Sequence, residues 1–185
     1  MKTINPSELS PMQVQMILQT AVAPRPIALA STIDKNGNVN LSPFSFFNLF
    51  SSNPPILIFS PARRVRDNST KDTLHNVLEV PEVVIGNVNF NMVQQVSLSS
   101  TEYETGVDEF IKSGLTKKPS ELVKPPLIAE SPVNFECKVI EVKPLGNEGG
   151  AGNLVICEVL KIHIREEFLN EEGNLDQKKL DLVSR

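Results

Sequence analysis

Apolar and polar positions along the chain form short strand-like and helix-like patterns. Runs of aliphatic and β-branched residues predict strands at residues 27–33, 39–41, 56–59, 83–88, 133–139 and 154–164. Capping residues predict short helices after Ser10-Pro11, from Ser69 to about residue 78, over 90–98 with Asn89 as cap, over 107–113, and over 174–182 with Asn174 as cap. Because few strand–helix–strand units occur, the pattern predicts a mainly β, mostly antiparallel barrel with several short peripheral helices.

Two connections add to this pattern. Asn36-Gly37 lies between apolar runs and predicts a hairpin between the first two strands. Residues 99–132 contain polar turns and Pro125-Pro126 but little periodicity. A segment of this length predicts an insertion that covers part of the molecule or contacts a partner.

Composition and charge exclude several classes of protein. The chain has 18 basic and 22 acidic residues and a net charge of −4, so a nucleic acid is not the expected partner. The longest apolar run, residues 54–59, is far shorter than the ~20 residues of a membrane-spanning helix, and no apolar segment of a signal peptide follows Lys2. We therefore expect a cytoplasmic protein in which Cys137 and Cys157 are free thiols.

The chain lacks the short motifs of nucleophilic, metal-dependent and nucleotide-binding enzymes. It has no Cys-x-x-Cys, His-Glu-x-x-His, Gly-x-Ser-x-Gly, Gly-x-Gly-x-x-Gly or P-loop pattern. Its histidines are His75 and His163, and single histidines are more often structural than metal-ligating. We therefore predict no metal site and no acid–base catalytic residue, so that a reaction here would depend on a cofactor.

One cluster with the composition of a cofactor site follows the predicted hairpin. It runs from Asn40 to Asn48, and within it Ser42, Pro43, Phe44, Ser45, Phe46 and Phe47 are predicted to form an aromatic, hydroxyl-rich loop. Hydroxyl groups and backbone amides suit the polar edge of a flat heteroaromatic ring, and phenylalanines supply apolar walls. The same pattern also fits a core strand with Phe44 and Phe46 buried on one face.

A second cluster joins a basic loop to the start of a predicted helix. It comprises Ser60, Pro61, Ala62, Arg63 and Arg64, and then Ser69, Thr70, Lys71, Asp72 and Thr73. Cations and hydroxyl groups at a helix N-terminus suit a phosphate monoester. A solvated basic loop followed by an ordinary N-cap is the alternative interpretation.

The order of these stretches resembles the flavin reductase-like, FMN-binding split-barrel family, and most closely its longer members. These include flavoredoxin-type proteins and the flavin-reducing components of two-component monooxygenases. The matching stretches are Ala23-Pro24-Arg25-Pro26-Ile27-Ala28, Ser31-Thr32, residues 40–48, Asn53-Pro54-Pro55, Lys71-Asp72-Thr73 with Asn76, Gly106-Val107-Asp108-Glu109-Phe110, Gly114-Leu115-Thr116, Ser131-Pro132-Val133, Phe135-Glu136-Cys137 and Val155-Ile156-Cys157-Glu158-Val159.

The resemblance implies one flavin reductase-like domain over residues 1–185, a split β-barrel fold, and FMN held at the interface of a homodimer and reduced by NADH or NADPH. By position, Thr32 and residues 42–47 would line the isoalloxazine and ribityl chain. The ribityl and phosphate end would contact Ser60, Lys71, Asp72 and Thr73. Arg25 and His163 would lie near the pocket.

Three departures limit what the resemblance implies. Shorter reductases have Gly-Asp-His near the last hairpin, where this chain has Gly149-Gly150-Ala151-Gly152-Asn153. Cys157 stands where the family usually has glycine. Longer members continue past a Ser-Arg like Ser184-Arg185 into a Gly-Gly and aromatic segment, which leaves open whether the native chain continues past Arg185.

The leading functional hypothesis is an FMN-dependent NAD(P)H oxidoreductase that transfers hydride from nicotinamide to flavin. An FMN-binding electron carrier with little NAD(P)H turnover is the alternative, and a flavin-free relative whose phenylalanines form only core is a third. No set of arginines identifies a 2′-phosphate, so the preferred nicotinamide stays open. The electron acceptor, which includes a monooxygenase component or a carrier protein, stays open as well.

Overall fold

The computed structural model describes residues 1–104 and 106–185. Over these residues, seven strands form one antiparallel sheet in the order β2-β1-β5-β8-β9-β4-β3. Their bounds are β1 Ala28–Ile33, β2 Val39–Phe44, β3 Phe47–Ser52, β4 Pro55–Phe59, β5 Glu82–Asn87, β8 Val133–Pro144 and β9 Asn153–Ile164. Two short strands, β6 Lys117–Lys118 and β7 Leu127–Ile128, pair separately.

The connection between β2 and β3 determines the shape of the sheet. The two strands lie at opposite edges of the strand order, yet only Ser45 and Phe46 separate them in the chain. Because three Cα–Cα steps span only about 11 Å even when extended, the sheet must curl until the end of β2 lies near the start of β3, although these two edge strands are not paired with each other. The fold is therefore an antiparallel split barrel, as predicted.

Alternate residues of the central strands pack on two different sides of the sheet. Inside the barrel, Ala28 and Ala30 of β1 join Phe44, Phe59 and residues of β5, β8 and β9 in one core. Leu29, between the two alanines, packs outside the barrel in a second core with Leu41. Strands buried on both faces show continuous apolar runs rather than clean alternation, as residues 83–85 illustrate.

Five short helices lie around the barrel in the described residues. They are α1 Pro11–Ala21, α2 Asp72–Glu79, α3 Val93–Ser99, α4 Glu109–Ser113 and α5 Gln177–Leu180. The predicted cap of α1 is confirmed, since Ser10 and Gln13 form a capping box. The predicted cap at Ser69 is wrong: α2 begins later, and the Ser69 hydroxyl instead bonds to Asp67 at 2.6 Å. The cap predicted at Asn174 is also wrong, because Asp176 accepts the amides that begin α5.

Strand β3 was not predicted from the sequence. Residues 42–47 were interpreted as one loop, whereas β2 continues through Phe44 and β3 starts at Phe47. Leu49 and Phe50 in β3 are each 63% exposed, so the strand lacks the inward apolar face that marks a half-buried strand.

Much of the segment 106–132 packs over the outer side of β1, β2 and β5 of the same chain. Phe110 of α4, Leu115 and Ile128 belong to the second core, together with Leu29. Glu109 anchors α4 to β2, because its Oε2 accepts the Leu41 amide at 2.9 Å. This segment therefore covers its own sheet, which is one of the two roles predicted for it.

The two cysteines lie on neighbouring strands but are not bonded. Cys137 is opposite Val159 and Cys157 is opposite Val139 in the β8–β9 ladder. Both thiols are free and buried, as predicted. In the part of the chain that the structure describes, no helix has the length and apolar character needed to cross a bilayer.

Candidate functional site

A cavity of about 310 Å³ lies where the start of α2, the middle of β2 and the end of α3 meet. It contains three cations, Arg64, Arg66 and Lys71, and we refer to it as the basic cavity. Hydroxyl groups also line it, from Ser42, Thr73, Ser99, Ser100, Thr101 and Tyr103. Cations together with hydroxyl groups are the donors that bind a phosphate monoester.

Lys71 is the N-cap residue of α2 and lies at the inner end of the basic cavity. Its ammonium is 3.4 Å from the Ser42 hydroxyl and 5.2 Å from the centre of the Phe44 ring. Burial lowers the pKa of Lys71, the charge of Arg64 lowers it further, and Glu102 and Glu109 oppose these effects. Among the described residues, no carboxylate oxygen lies within 4.0 Å of the Lys71 ammonium. A half-buried cation without a nearby carboxylate favours the binding of an anionic ligand.

The two arginines are fixed by the loop that precedes α2. Arg64 Nη1 donates to the Ser69 hydroxyl at 3.0 Å and to the Thr70 carbonyl at 2.9 Å. Asn68 adopts a left-handed backbone (φ 58°), which turns the loop back so that the Ser69 carbonyl accepts the Arg64 amide. On the outer side, Glu102 bridges both guanidinium groups.

A buried polar network connects β2, α2 and α4 behind the cavity. The Asn40 carboxamide accepts the Thr73 hydroxyl at 2.8 Å and donates to Glu109 Oε1 at 3.2 Å. Burial raises the pKa of Glu109, and the Leu41 amide opposes that shift. This network fixes Thr73 and the first turn of α2 against the strand that contains Ser42.

A second, larger cavity of about 480 Å³ shares Asn40 and Asp72 with the basic cavity. Its walls carry the carboxylates of Asp34 and Glu79 and several amides, with Lys35 as its cation. Lys35 is already paired with Glu79 at 3.3 Å. The larger cavity therefore suits a phosphate less well than the basic cavity does.

The residues predicted to contact the ring lie along β2 and the turn after it. Ser42 faces Lys71, Pro43 is opposite Leu29, and Phe44 is buried against Phe59 with ring centres 5.2 Å apart. Ser45 is half-buried, while Phe46 is 39% exposed at the turn.

The interpretation of Phe44 and Phe46 as one buried face is wrong for Phe46, because the chain turns between the two rings. Phe47 begins β3, packs against the inner core and borders an apolar cavity of about 260 Å³ with Pro24 and Pro26.

The remaining predicted contacts separate into three places. Lys71, Asp72 and Thr73 all line the basic cavity. Ser60 lies beside the β2–β3 turn, where its amide donates to the Phe46 carbonyl at 2.8 Å. Thr32 is fully buried beneath α2, and its hydroxyl accepts from Asn76 at 3.1 Å.

Arg25 and His163 serve contacts away from the basic cavity. Arg25 donates to backbone carbonyls at the end of α1, and its backbone pairs with Arg185. His163 Nε2 is 2.6 Å from the fully buried carboxylate of Glu136.

That same carboxylate accepts the backbone amides of Glu121, Leu122 and Val123 at 2.6–3.0 Å. Burial alone would raise the pKa of Glu136, but these amides and His163 hold it below its ordinary value.

Two parts of the basic cavity were not predicted as site residues from the sequence. Asn40 belonged to the predicted cofactor cluster without being assigned a contact, and Glu109 was noticed only as a member of a matching stretch, since nothing local indicates that α4 packs on β2. The run of hydroxyl residues over 99–101 with Tyr103 could have been found as a phosphate-type composition, but its distance from Lys71 in sequence concealed the contact.

Comparison with known proteins agrees with this geometry. Residues 21–180 match the family described as flavin reductase like domain, and the chain therefore belongs to the flavin reductase-like family. An uncharacterized protein of Halalkalibacterium halodurans is 38% identical over 184 residues, which cover 98% of this chain and 87% of that protein.

Two solved structures share the fold over most of their length. Nitrilotriacetate monooxygenase component B from Bacillus cereus has a TM-score of 0.93 and 28% identity, covering 100% of this chain and 91% of that one. The 2-nitrobenzoate 2-nitroreductase NbaA of Pseudomonas fluorescens has a TM-score of 0.82 and 26% identity, covering 94% and 82%. The family that the sequence resembles is thus confirmed.

Proposed function

We propose that the protein is an FMN-dependent NAD(P)H oxidoreductase of the flavin reductase type. The observation that supports this most is the Lys71 ammonium, which is half-buried between Ser42, Phe44 and Arg64 and has no carboxylate partner among the described residues. A dianionic phosphate monoester would compensate this charge and accept from the surrounding hydroxyl groups.

The residues present fit FMN from the basic cavity to the turn between β2 and β3. The basic cavity would hold the phosphate through Lys71, Arg64 and Thr73. Phe44 and the Ser45–Phe46 turn lie beyond Ser42 in the chain and would meet the ring with an apolar wall and backbone polar groups. Bound FMN would supply the redox chemistry, accepting hydride from NADH or NADPH and passing electrons on.

The chain's own contribution would be binding, orientation and exclusion of water. Neither histidine is placed as a free acid or base: His75 Nε2 is 2.6 Å from the Thr70 hydroxyl, and His163 is engaged by Glu136. Hydride transfer between two stacked rings needs alignment rather than a side-chain proton donor. Residues 42–47 would fix that alignment through backbone groups.

The test is to load the purified protein with FMN and mix it with NADH or NADPH without oxygen. Rapid loss of the flavin absorption band with either nicotinamide, and repeated turnover with excess acceptor, is the expected result. Flavin that binds but is reduced by neither nicotinamide would indicate the electron-carrier alternative. Failure to bind FMN would contradict the proposal as a whole.

We further propose a homodimer as the working form. Apolar side chains of residues 106–132 pack on their own sheet, so we assign the interface to other surfaces. Exposed apolar side chains lie on α1, where Met12 and Met16 are 67% and 63% exposed, and on edge strand β3 at Leu49 and Phe50. Exposed apolar patches of this kind mark protein contacts.

An electron-accepting partner is proposed from one relative. The likeness to component B of a monooxygenase supports an oxygenase component as the partner of the reduced flavin. A pull-down with a candidate oxygenase, with and without reduced FMN, would test this partner.

A further inference from the structure

Glu102 occupies the outer part of the basic cavity. One of its carboxylate oxygens is 3.2 Å from Arg64 Nε, and the same oxygen contacts the Arg66 guanidinium. Glu102 also raises the pKa of Lys71, although it is not within ion-pair distance of that ammonium. One carboxylate therefore faces all three cations of the site.

The other two carboxylates of the basic cavity have different surroundings. Glu109 is committed to the Leu41 amide and to Asn40. Asp72 is the first residue of α2, where a carboxylate is favourable to the helix dipole. Glu102 is thus the carboxylate that the two arginines share, while Asp67 pairs with Arg66 alone at 3.0 Å. A guanidinium binds carboxylate and phosphate with the same donors.

The segment that holds Glu102 is braced by its own hydrogen bonds. The Ser99 hydroxyl donates to Val96 O at 2.9 Å, and the Tyr103 hydroxyl donates to Leu98 O at 3.2 Å. The Glu102 side chain itself is 46% exposed, so it can rotate into solvent without disturbing these bonds. Withdrawal of the carboxylate would free the donors of Arg64.

We propose that Glu102 is a built-in anion that stands in for the ligand's phosphate and must withdraw when a phosphorylated flavin binds. The inference rests on the proposed function and identifies a residue that determines specificity. Glu102 would lower affinity for FMN, whose phosphate competes for the same arginines, and leave riboflavin unaffected. The protein would consequently discriminate less between FMN and riboflavin than its three cations alone would allow.

The experiment compares Glu102→Gln with the wild type and with Glu104→Gln, a matched variant two residues away. Dissociation constants for FMN and for riboflavin are measured by quenching of flavin fluorescence, and circular dichroism checks the fold. We expect Glu102→Gln to bind FMN about two- to fivefold more tightly, the scale of one exposed charge interaction, and riboflavin with the affinity of the wild type. Glu104→Gln should match the wild type with both ligands.

Inorganic phosphate provides a second readout that does not depend on the ring. It should compete with FMN more strongly in Glu102→Gln than in the wild type, because its binding no longer displaces a carboxylate. If a folded Glu102→Gln binds FMN no more tightly than the wild type does, the inference is overturned while the proposed function stands. If neither protein binds FMN, the proposed function fails and this inference fails with it.

Discussion

Lys71 shows how a single side chain can indicate a ligand. A charge-assisted hydrogen bond is worth about 1.5–3 kcal/mol, so Lys71→Ala should weaken FMN binding roughly 10- to 150-fold. Riboflavin has no phosphate and should lose far less affinity. Fluorescence titration of both ligands measures this, with Lys143→Ala on the exposed part of β8 as the control. Equal losses for the two ligands would show that the phosphate binds elsewhere.

The two histidines test whether a side-chain acid takes part in the reaction. Removing an essential general acid or base costs 10²–10⁴-fold, so His75→Ala and His163→Ala should each keep kcat within about tenfold of the wild type when FMN saturates. Their contacts, with Thr70 and Glu136, are structural. A thousandfold loss in either folded variant would contradict hydride transfer without a protein acid.

The buried thiol of Cys137 should make the folded protein less stable at alkaline pH. Burial raises its pKa from 9.0 to about 12. Above pH 9 the unfolded chain releases this proton while the folded chain keeps it, so the free energy of unfolding falls as pH rises.

From pH 8 to pH 10 this thiol should account for a loss on the order of 1 kcal/mol. Urea unfolding at both pH values should show a smaller loss in Cys137→Ala by this amount. An identical pH dependence in the two proteins would contradict the expectation.

At the residue scale, the sequence predicted which residues form the site better than it predicted the direction in which their side chains point. It predicted Ser42, Lys71 and Thr73 together, and the structure brings all three to one cavity. It could not show that Thr32 faces α2 or that Phe46 turns outward. Those orientations depend on where a strand ends, and a difference of one residue reverses the face of every side chain.

Among the elements, the turn over residues 121–123 depends on one buried carboxylate. Replacing Glu136 with alanine would leave three amides and His163 without their acceptor, which we expect to cost about 3–5 kcal/mol. Urea unfolding measures the loss, and faster hydrogen exchange at Leu122 and Val123 would locate it. Glu141→Ala, on an exposed position of the same strand, is the control.

The sign of the acid dependence follows from the same contacts. The pKa of Glu136 is lowered in the folded chain, so this group's stabilisation is present above the unfolded pKa and is lost as pH falls through the folded value.

At the element scale, the strands of the main sheet with one or two buried faces were predicted, whereas β3 and the short buried strand β7 were not. Residues 83–85 are apolar because both sides of β5 are covered, which gives a strong local pattern. The exposed side chains of β3 give no such pattern, and its pairing with β4 depends on the tight connection at residues 53–54. The predicted helix caps at Ser69 and Asn174 are wrong for two different reasons. The Ser69 hydroxyl bonds to the Asp67 carboxylate, and Asp176 rather than Asn174 accepts the amides at the start of α5.

For the whole molecule, we expect a dimer of twice the chain mass of 20.4 kDa in light scattering. Helix α1 has 11 residues and no buried side chain, and an isolated helix of that length is only marginally stable in water. The interface of an obligate homodimer typically buries upwards of ~2,000 Å² of accessible surface.

Met16→Glu should therefore shift the dimer toward monomers. Ile111→Glu, 76% exposed on α4, should not. A monomer mass for the wild type with FMN bound would contradict the dimer.

The barrel itself was predicted from the resemblance and from the shortage of strand–helix–strand units, but the order of its strands was not. The order of strands depends on pairings between distant parts of the chain, such as β4 with β9. No local pattern encodes which edges meet, and the two-residue link between β2 and β3 becomes informative only once the order is known.

The same pairing of β4 with β9 constrains how the protein is made. Ile56 lies opposite Glu158, so a ribosome that has finished β4 must still synthesise most of the remaining chain before the partner strand exists. At roughly 5–20 residues per second, the β3–β4 hairpin waits on the order of ten seconds with the edge of β4 that later pairs with β9 still open. Long-range pairing of this kind slows folding and exposes nascent strands to aggregation. Rapid expression at high temperature should therefore yield inclusion bodies, and slower synthesis in the cold should favour the native fold.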